Sequence, residues 1–145
     1  GARVKKPGEA MIGEEVEQAL MKTANEEHVH ITEFTVAPRV EDTDGKSYHE
    51  WFIEFENKPL DMQEFITKLD AQMRAKNIYY DDLVSGNILQ PLKVIPVRKN
   101  GFIDYMKSIG KLGGQNKVPR LSNDRTIANE LMKWAENDLI LHNEK

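Results

Sequence analysis

The sequence contains no cysteine, which removes disulfides, thiolate metal ligands and cysteine nucleophiles and fits a reducing compartment. It also lacks any apolar run near the ~20 residues needed to span a bilayer, and the opening GARVKKPGEAMIGEE has basic residues but no signal-peptide core. A soluble, cytoplasmic protein with no membrane contact is expected. GxSxG, HExxH, the Gly-Lys-Ser/Thr of a phosphate loop and GxGxxG are all missing, so a self-contained hydrolase or NTPase is not expected. Hydrophobic residues are scarce too, at 39% against 30% charged, so the core should be adequate but not large. What remains is 145 residues, enough for one domain with a frayed end and too few for a typical two-domain catalytic machine.

The net charge of -4 is unevenly spread. Residues 91 to 125 hold eight basic side chains and two acidic ones, a local +6 that leaves -10 on the rest. One basic segment on an acidic chain suits a local anion site better than a polyanion-coating surface, and it is equally compatible with two oppositely charged solvated faces.

Residues 1 to 10 read as a flexible leader or the remnant of a hinge, because Pro7, Gly8 and charged residues show no apolar period. Val16, Ala19, Leu20, Thr23 and Ala24 then fall on one helical face. Val29 to Ala37 and Ser47 to Glu56 predict two antiparallel strands around an Asp44-Gly45 turn signal, with Trp51, Ile53 and Phe55 turned inward beside His49. Asp61 is placed to cap a helix bearing Phe65, Ile66, Leu69 and Met73, and a short helix is expected over Tyr79 to Val84, ended by Gly86. Leu92 to Val97 predicts a strand that Pro91 and Pro96 confine to an edge or a bulge. Phe102, Tyr105, Met106 and Ile109 predict a helix closed by Gly110, and Ser122 or Asn123 should cap a last one carrying Ile127, Ala128, Leu131 and Ala135. The sum is an α+β domain, a small mixed β-sheet with helices packed against it.

Most polar candidates have ordinary explanations. His28 and His30 lie two apart, as strand ligands would, but only Glu26 and Glu27 stand near, so solvated strand-end histidines are expected and no metal site is. His49 shares its side with apolar residues and reads as a core or edge histidine. Asp81 and Asp82 fit helix capping and the helix dipole. The informative stretch is GKLGGQNKVPR, Gly110 to Arg120. Gly113 and Gly114 allow close approach of backbone amides, Gln115 and Asn116 offer donors, and Lys111, Lys117 and Arg120 offer charge for a phosphate or carboxylate. A solvated glycine loop between helices has a similar composition.

Tyr48 to Glu56 (YHEWFIEFE), Asn77-Ile78-Tyr79-Tyr80-Asp81-Asp82, Gly101-Phe102 and above all Gln115, Lys117, Pro119 and Arg120 in GKLGGQNKVPRLSNDR closely resemble the C-terminal domain of bacterial members of the auxin-responsive acyl-acid amido synthetase (Gretchen Hagen) family. The resemblance covers about residues 11 to 130. It implies that residues 11 to 145 form a lid over a large N-terminal adenylating domain. The parent enzyme would use ATP and Mg to activate a small carboxylic acid as acyl-AMP and pass the acyl group to an amine. It further implies Lys117 as the catalytic lid lysine, with Gly113, Gly114, Gln115, Lys111 and Arg120 around the nucleotide phosphate. Glu14 and Glu15 stand where some plant members have a lysine. Without the large domain the chain is expected to be inactive and to hold no cofactor. The alternative is a standalone binding module for an acidic protein or nucleic acid, the latter poorly served by so few aromatics in the basic segment.

Overall fold

A three-stranded sheet with helices on both sides organises the chain. The computed structural model describes residues 11–40, 45–111 and 117–136, so the leader read at residues 1 to 10 lies outside the described residues. Strand β1 (Ile31–Val40) runs antiparallel to β2 (Ser47–Phe55), and β2 runs parallel to β3 (Lys93–Val97), in the order β1-β2-β3. A parallel neighbour cannot be reached through a tight turn, and the crossover is made by α2 (Met62–Lys76) and α3 (Ile78–Ser85). Helix α1 (Gly13–Glu26) precedes the sheet; α4 (Gly101–Ser108), α5 (Thr126–Leu131) and a 3-10 turn (Met132–Trp134) follow it. This is the expected α+β domain with a small mixed sheet.

The apolar face expected on β2 is present, but it is not the only one. Trp51 and Ile53 join residues of α1, α2 and α3 in one core, while Phe52 joins Phe102 and Tyr105 of α4 and Ala128 and Leu131 of α5 in a second. Residues Tyr48 to Glu54 are therefore all buried, and Phe55, expected inward, is only partly so. The second face escapes a period-2 reading because glutamates alternate along it. Glu50 is buried against Arg125 (2.9 Å) and Arg39 (3.4 Å), and Glu54 accepts the backbone N–H groups of Asn100 (3.0 Å) and Phe102 (3.2 Å) at the start of α4. Each carboxylate thus replaces lost water with charged or oriented donors.

The predicted stripe of α1 is buried throughout. Its end differs from expectation: His28 adopts a left-handed φ of 56° and Val29 N–H returns to Ala24 O (2.8 Å), so His28 belongs to a helix terminus rather than a strand end. Asp61 caps α2 by accepting Glu64 N–H (3.1 Å). Asn77, rather than either aspartate, caps α3 by accepting Tyr80 N–H (2.9 Å), and Asp81 instead meets Arg74 at 2.6 Å. Gly86 ends α3 as expected, as its C-cap, and the left-handed residue is the next one, Asn87. Gly110 does close α4, at φ 70°, with its own N–H on Lys107 O and Lys111 N–H on Met106 O. The last helix starts later than predicted because Arg125 is tied to Glu50 and Pro38 O while Asp124 accepts Thr126 N–H. Ala135 lies beyond it, paired with Val97.

Both sheet edges are partly closed. Residues 134–136 pair with the end of β3 through Arg98 N–H to Trp134 O (2.9 Å) and Glu136 N–H to Pro96 O (3.0 Å). That approach requires glycine at 101, where a Cβ would come within 2.4 Å of Val97. On the other side, Val36 N–H donates to Arg120 O (3.0 Å) and Ser122 N–H donates to Val36 O (2.8 Å).

Candidate functional site

The edge contact with β1 determines where the lysine of the Gln-x-Lys-x-Pro-Arg motif emerges. Val118 is buried in the second core, the Pro119 carbonyl accepts the Thr35 hydroxyl (2.6 Å), and Arg120 and Ser122 share hydrogen bonds with Val36. Lys117 is the exposed residue immediately before this anchored segment. On the other flank, Lys111 is exposed and its N–H ends the hydrogen-bonded closure of α4. Gly113, Gly114 and Gln115 lie outside the described residues.

The basic segment divides by residue type. Arg98 pairs with Asp104 (2.8 Å), Arg125 with Glu50, and Arg120 with Glu33, while Lys93 sits over the Tyr48 ring at 4.4 Å. Lys99, Lys107, Lys111 and Lys117 are exposed and have no ion pair among the described residues. Much of the cation count that suggested a basic face is therefore paired within the fold, and of the uncompensated lysines Lys111 and Lys117 flank residues 112–116. Phe102 and Tyr105 are buried, so they offer no stacking surface to a nucleic acid. An open cleft of about 470 Å³ lies beside Pro38, Arg39, Val40, Asn123 and Arg125, and its two guanidiniums are turned to Glu50.

No group of three His, Cys, Asp or Glu suited to a metal occurs among the described residues. His28 and His30 are exposed, and Asn57 bridges the strand entry by donating to His28 O (3.1 Å) and accepting His30 N–H (2.8 Å). His49 is 1% exposed, with neither ring nitrogen hydrogen-bonded, and packs 5.8 Å from the Tyr80 ring. Tyr80 in turn donates to Asp70, which also accepts Leu92 N–H (3.3 Å). Burial, followed by the Asp70 charge, pushes the Tyr80 hydroxyl pKa up.

Burial also pushes the His49 imidazole from 6.5 down to about 4. The fold holds the neutral ring, so below about pH 6.5 the unfolded chain takes up a proton that the folded chain refuses, and stability falls as pH drops toward 4. At 1.36 kcal/mol per pK unit the loss approaches about 3 kcal/mol. A His49→Phe variant should lack this component, leaving only what the carboxylates contribute. Urea unfolding of both proteins at several pH values from 7 to 4 measures the difference; parallel losses would show that His49 is not held neutral.

A mixed sheet with helices on both faces is an architecture shared with a known family of domains. Residues 14–126 match the GH3 family C-terminal domain, and the chain belongs to that family. No curated protein matches the chain. Two solved structures share the fold: a GH3.15 acyl acid amido synthetase (15% identity, TM-score 0.64) and the AtGH3.15 acyl acid amido synthetase in complex with 2,4-DB (16% identity, TM-score 0.63). Each comparison covers 85% of this chain and 24% of the other, so the chain spans about a quarter of the length of these enzymes.

Proposed function

We propose that this domain is the lid of an ATP-dependent acyl acid amido synthetase, and that it contributes Lys117 to acyl-adenylate formation. The observation that carries the reading is the arrangement of cations: the arginines of the basic segment are committed to internal carboxylates, whereas Lys111 and Lys117 stand exposed and unpaired among the described residues on either side of the glycine loop. An ammonium with no internal partner is available to a phosphate or carboxylate brought against it. Gly113, Gly114 and Gln115 would supply close backbone amides and a side-chain donor. The acyl pocket, the remaining nucleotide contacts and the Mg ligands belong in this reading to the large N-terminal domain, because no metal-ligand group occurs among the described residues here. The parent enzyme would then activate a small carboxylic acid and transfer it to an amine.

Alone, the chain should neither hydrolyse ATP nor exchange pyrophosphate into it. A few exposed lysines cannot enclose an adenylate, and electrostatic catalysis needs a cleft that excludes water. Calorimetric titration with ATP is the test. Weak, unsaturated heats are expected, and tight saturable binding to the isolated chain would exclude the lid reading in favour of a standalone binding module.

A further inference from the structure

We infer that Arg120 is a positioning residue for Lys117, tying the lysine loop to the entry helix α1. The inference takes from the lid reading what Lys117 does, but the tie itself is independent of it. One side chain meets two elements: the guanidinium donates through Nη1 to Glu33 of β1, lies 3.7 Å from Glu17 of α1, and covers the Phe34 ring at 4.5 Å. The same residue's carbonyl accepts Val36 N–H, and its Cβ stands 3.6 Å from where a Cβ on Gly13, the first residue of α1, would be. Backbone and side chain therefore hold one point of the loop's C-terminal flank against both β1 and α1.

Only Val118 and Pro119 separate this anchor from Lys117, and both are fixed themselves, Val118 by burial and Pro119 by its ring and the Thr35 hydroxyl. Three residues reach at most about 10 Å, so the starting point of the lysine stem is set by the anchor. The Arg120 side chain is 30% exposed, and its guanidinium already faces a carboxylate and an aromatic ring. To contact a nucleotide phosphate it would have to leave both, whereas Lys117 has no such partner among the described residues. The geometry thus separates two cations that look alike in the motif: the lysine faces outward, and the arginine holds its loop to the domain.

Amide hydrogen exchange on this chain tests the tie directly. In Arg120→Ala, exchange at Val36 and Ser122 should accelerate by about tenfold or more while Phe52 and Ile53 in the central strand keep their protection. Glu33→Gln should act in the same direction with a smaller effect, and Arg120→Lys should recover part of the protection because it keeps the charge while losing the planar stack. Should Arg120→Ala fail to fold, the Glu33→Gln and Arg120→Lys pair still decides the matter. In the longer enzyme, Arg120→Ala and Glu33→Gln should both lower kcat for adenylation with KM for ATP unchanged. Unchanged exchange at Val36 and Ser122 in every variant overturns the tie. So does a raised KM for ATP in Arg120→Ala with Glu33→Gln silent, which would make Arg120 a direct phosphate contact. Failure of the lid reading would show elsewhere, as full adenylation activity in Lys117→Ala despite the exchange effect.

Discussion

Replacing Trp51 with alanine is expected to cost the domain about 3 to 5 kcal/mol, as large-to-small changes at fully buried aromatic positions do. Trp51 is 0% exposed and sits at the middle of the central strand, opposite Val36 on one neighbour and Val94 on the other. Those two valines and the buried stripes of α1 and α2 belong to the same core, so the cavity would open where three layers meet. A domain of this size has a total stability of only about 5 to 15 kcal/mol, and the variant should be close to unfolding at physiological temperature. Trp51→Phe should cost far less. The indole N–H of Trp51 has no hydrogen-bond partner, so that change removes an unsatisfied donor along with some packing. Urea unfolding followed by circular dichroism measures both. A loss below about 1 kcal/mol for Trp51→Ala would mean that this side of β2 faces solvent.

The side of β2 that holds Trp51 was legible in the sequence because its neighbours of like parity, His49, Ile53 and Phe55, contain no charge. The opposite side was not. Tyr48, Glu50, Phe52 and Glu54 alternate apolar with ionisable, which reads as a wet face until Arg39, Arg125 and the first amides of α4 are brought over it. The helical stripes of α1 and α2 are local and were readable from spacing alone. The cap of α3 is hidden in the sequence because Asn77 ends one helix and begins the next, a double role that no single-helix pattern displays. Left-handed ends at His28 and Asn87 were likewise hidden, since only glycine signals that conformation plainly.

The candidate site shows the same division. Glycines and cations in one loop could be seen in the sequence, and so could the motif that contains them. Which cations are neutralised could not, because Arg120 finds Glu33 at a separation of 87 residues and Arg125 finds Glu50 across the hairpin. Composition counted eight basic residues as one patch; folding pairs the three arginines with carboxylates, sets Lys93 over the Tyr48 ring and leaves Lys99, Lys107, Lys111 and Lys117 exposed. The guanidinium suits the paired positions, since its planar fork can serve a carboxylate, a carbonyl and an aromatic face together, and the compact ammonium on its flexible stem suits the exposed ones.

In the longer enzyme to which the lid reading assigns this domain, Lys117→Ala is expected to lower acyl-adenylate formation by roughly two to three orders of magnitude, the usual cost of losing one preorganised charge at a developing anion. When a carboxylate attacks the α-phosphorus two anions approach, and negative charge builds on the non-bridging oxygens. An ammonium delivered by domain closure stabilises that arrangement more than it stabilises the separated reactants, which is the condition for raising kcat rather than merely tightening binding. Folding should be little affected, because Lys117 is exposed and the structure around it is held by Val118, Pro119 and Arg120. Pyrophosphate exchange reports the adenylation half-reaction, and amide formation from pre-made acyl-AMP reports the other. The second should suffer much less if the lid turns a different face to the site for the transfer step. Equal losses in both, or none in either, would remove Lys117 from the adenylation step. Lys111, the exposed cation on the loop's other flank, would then be the residue to replace.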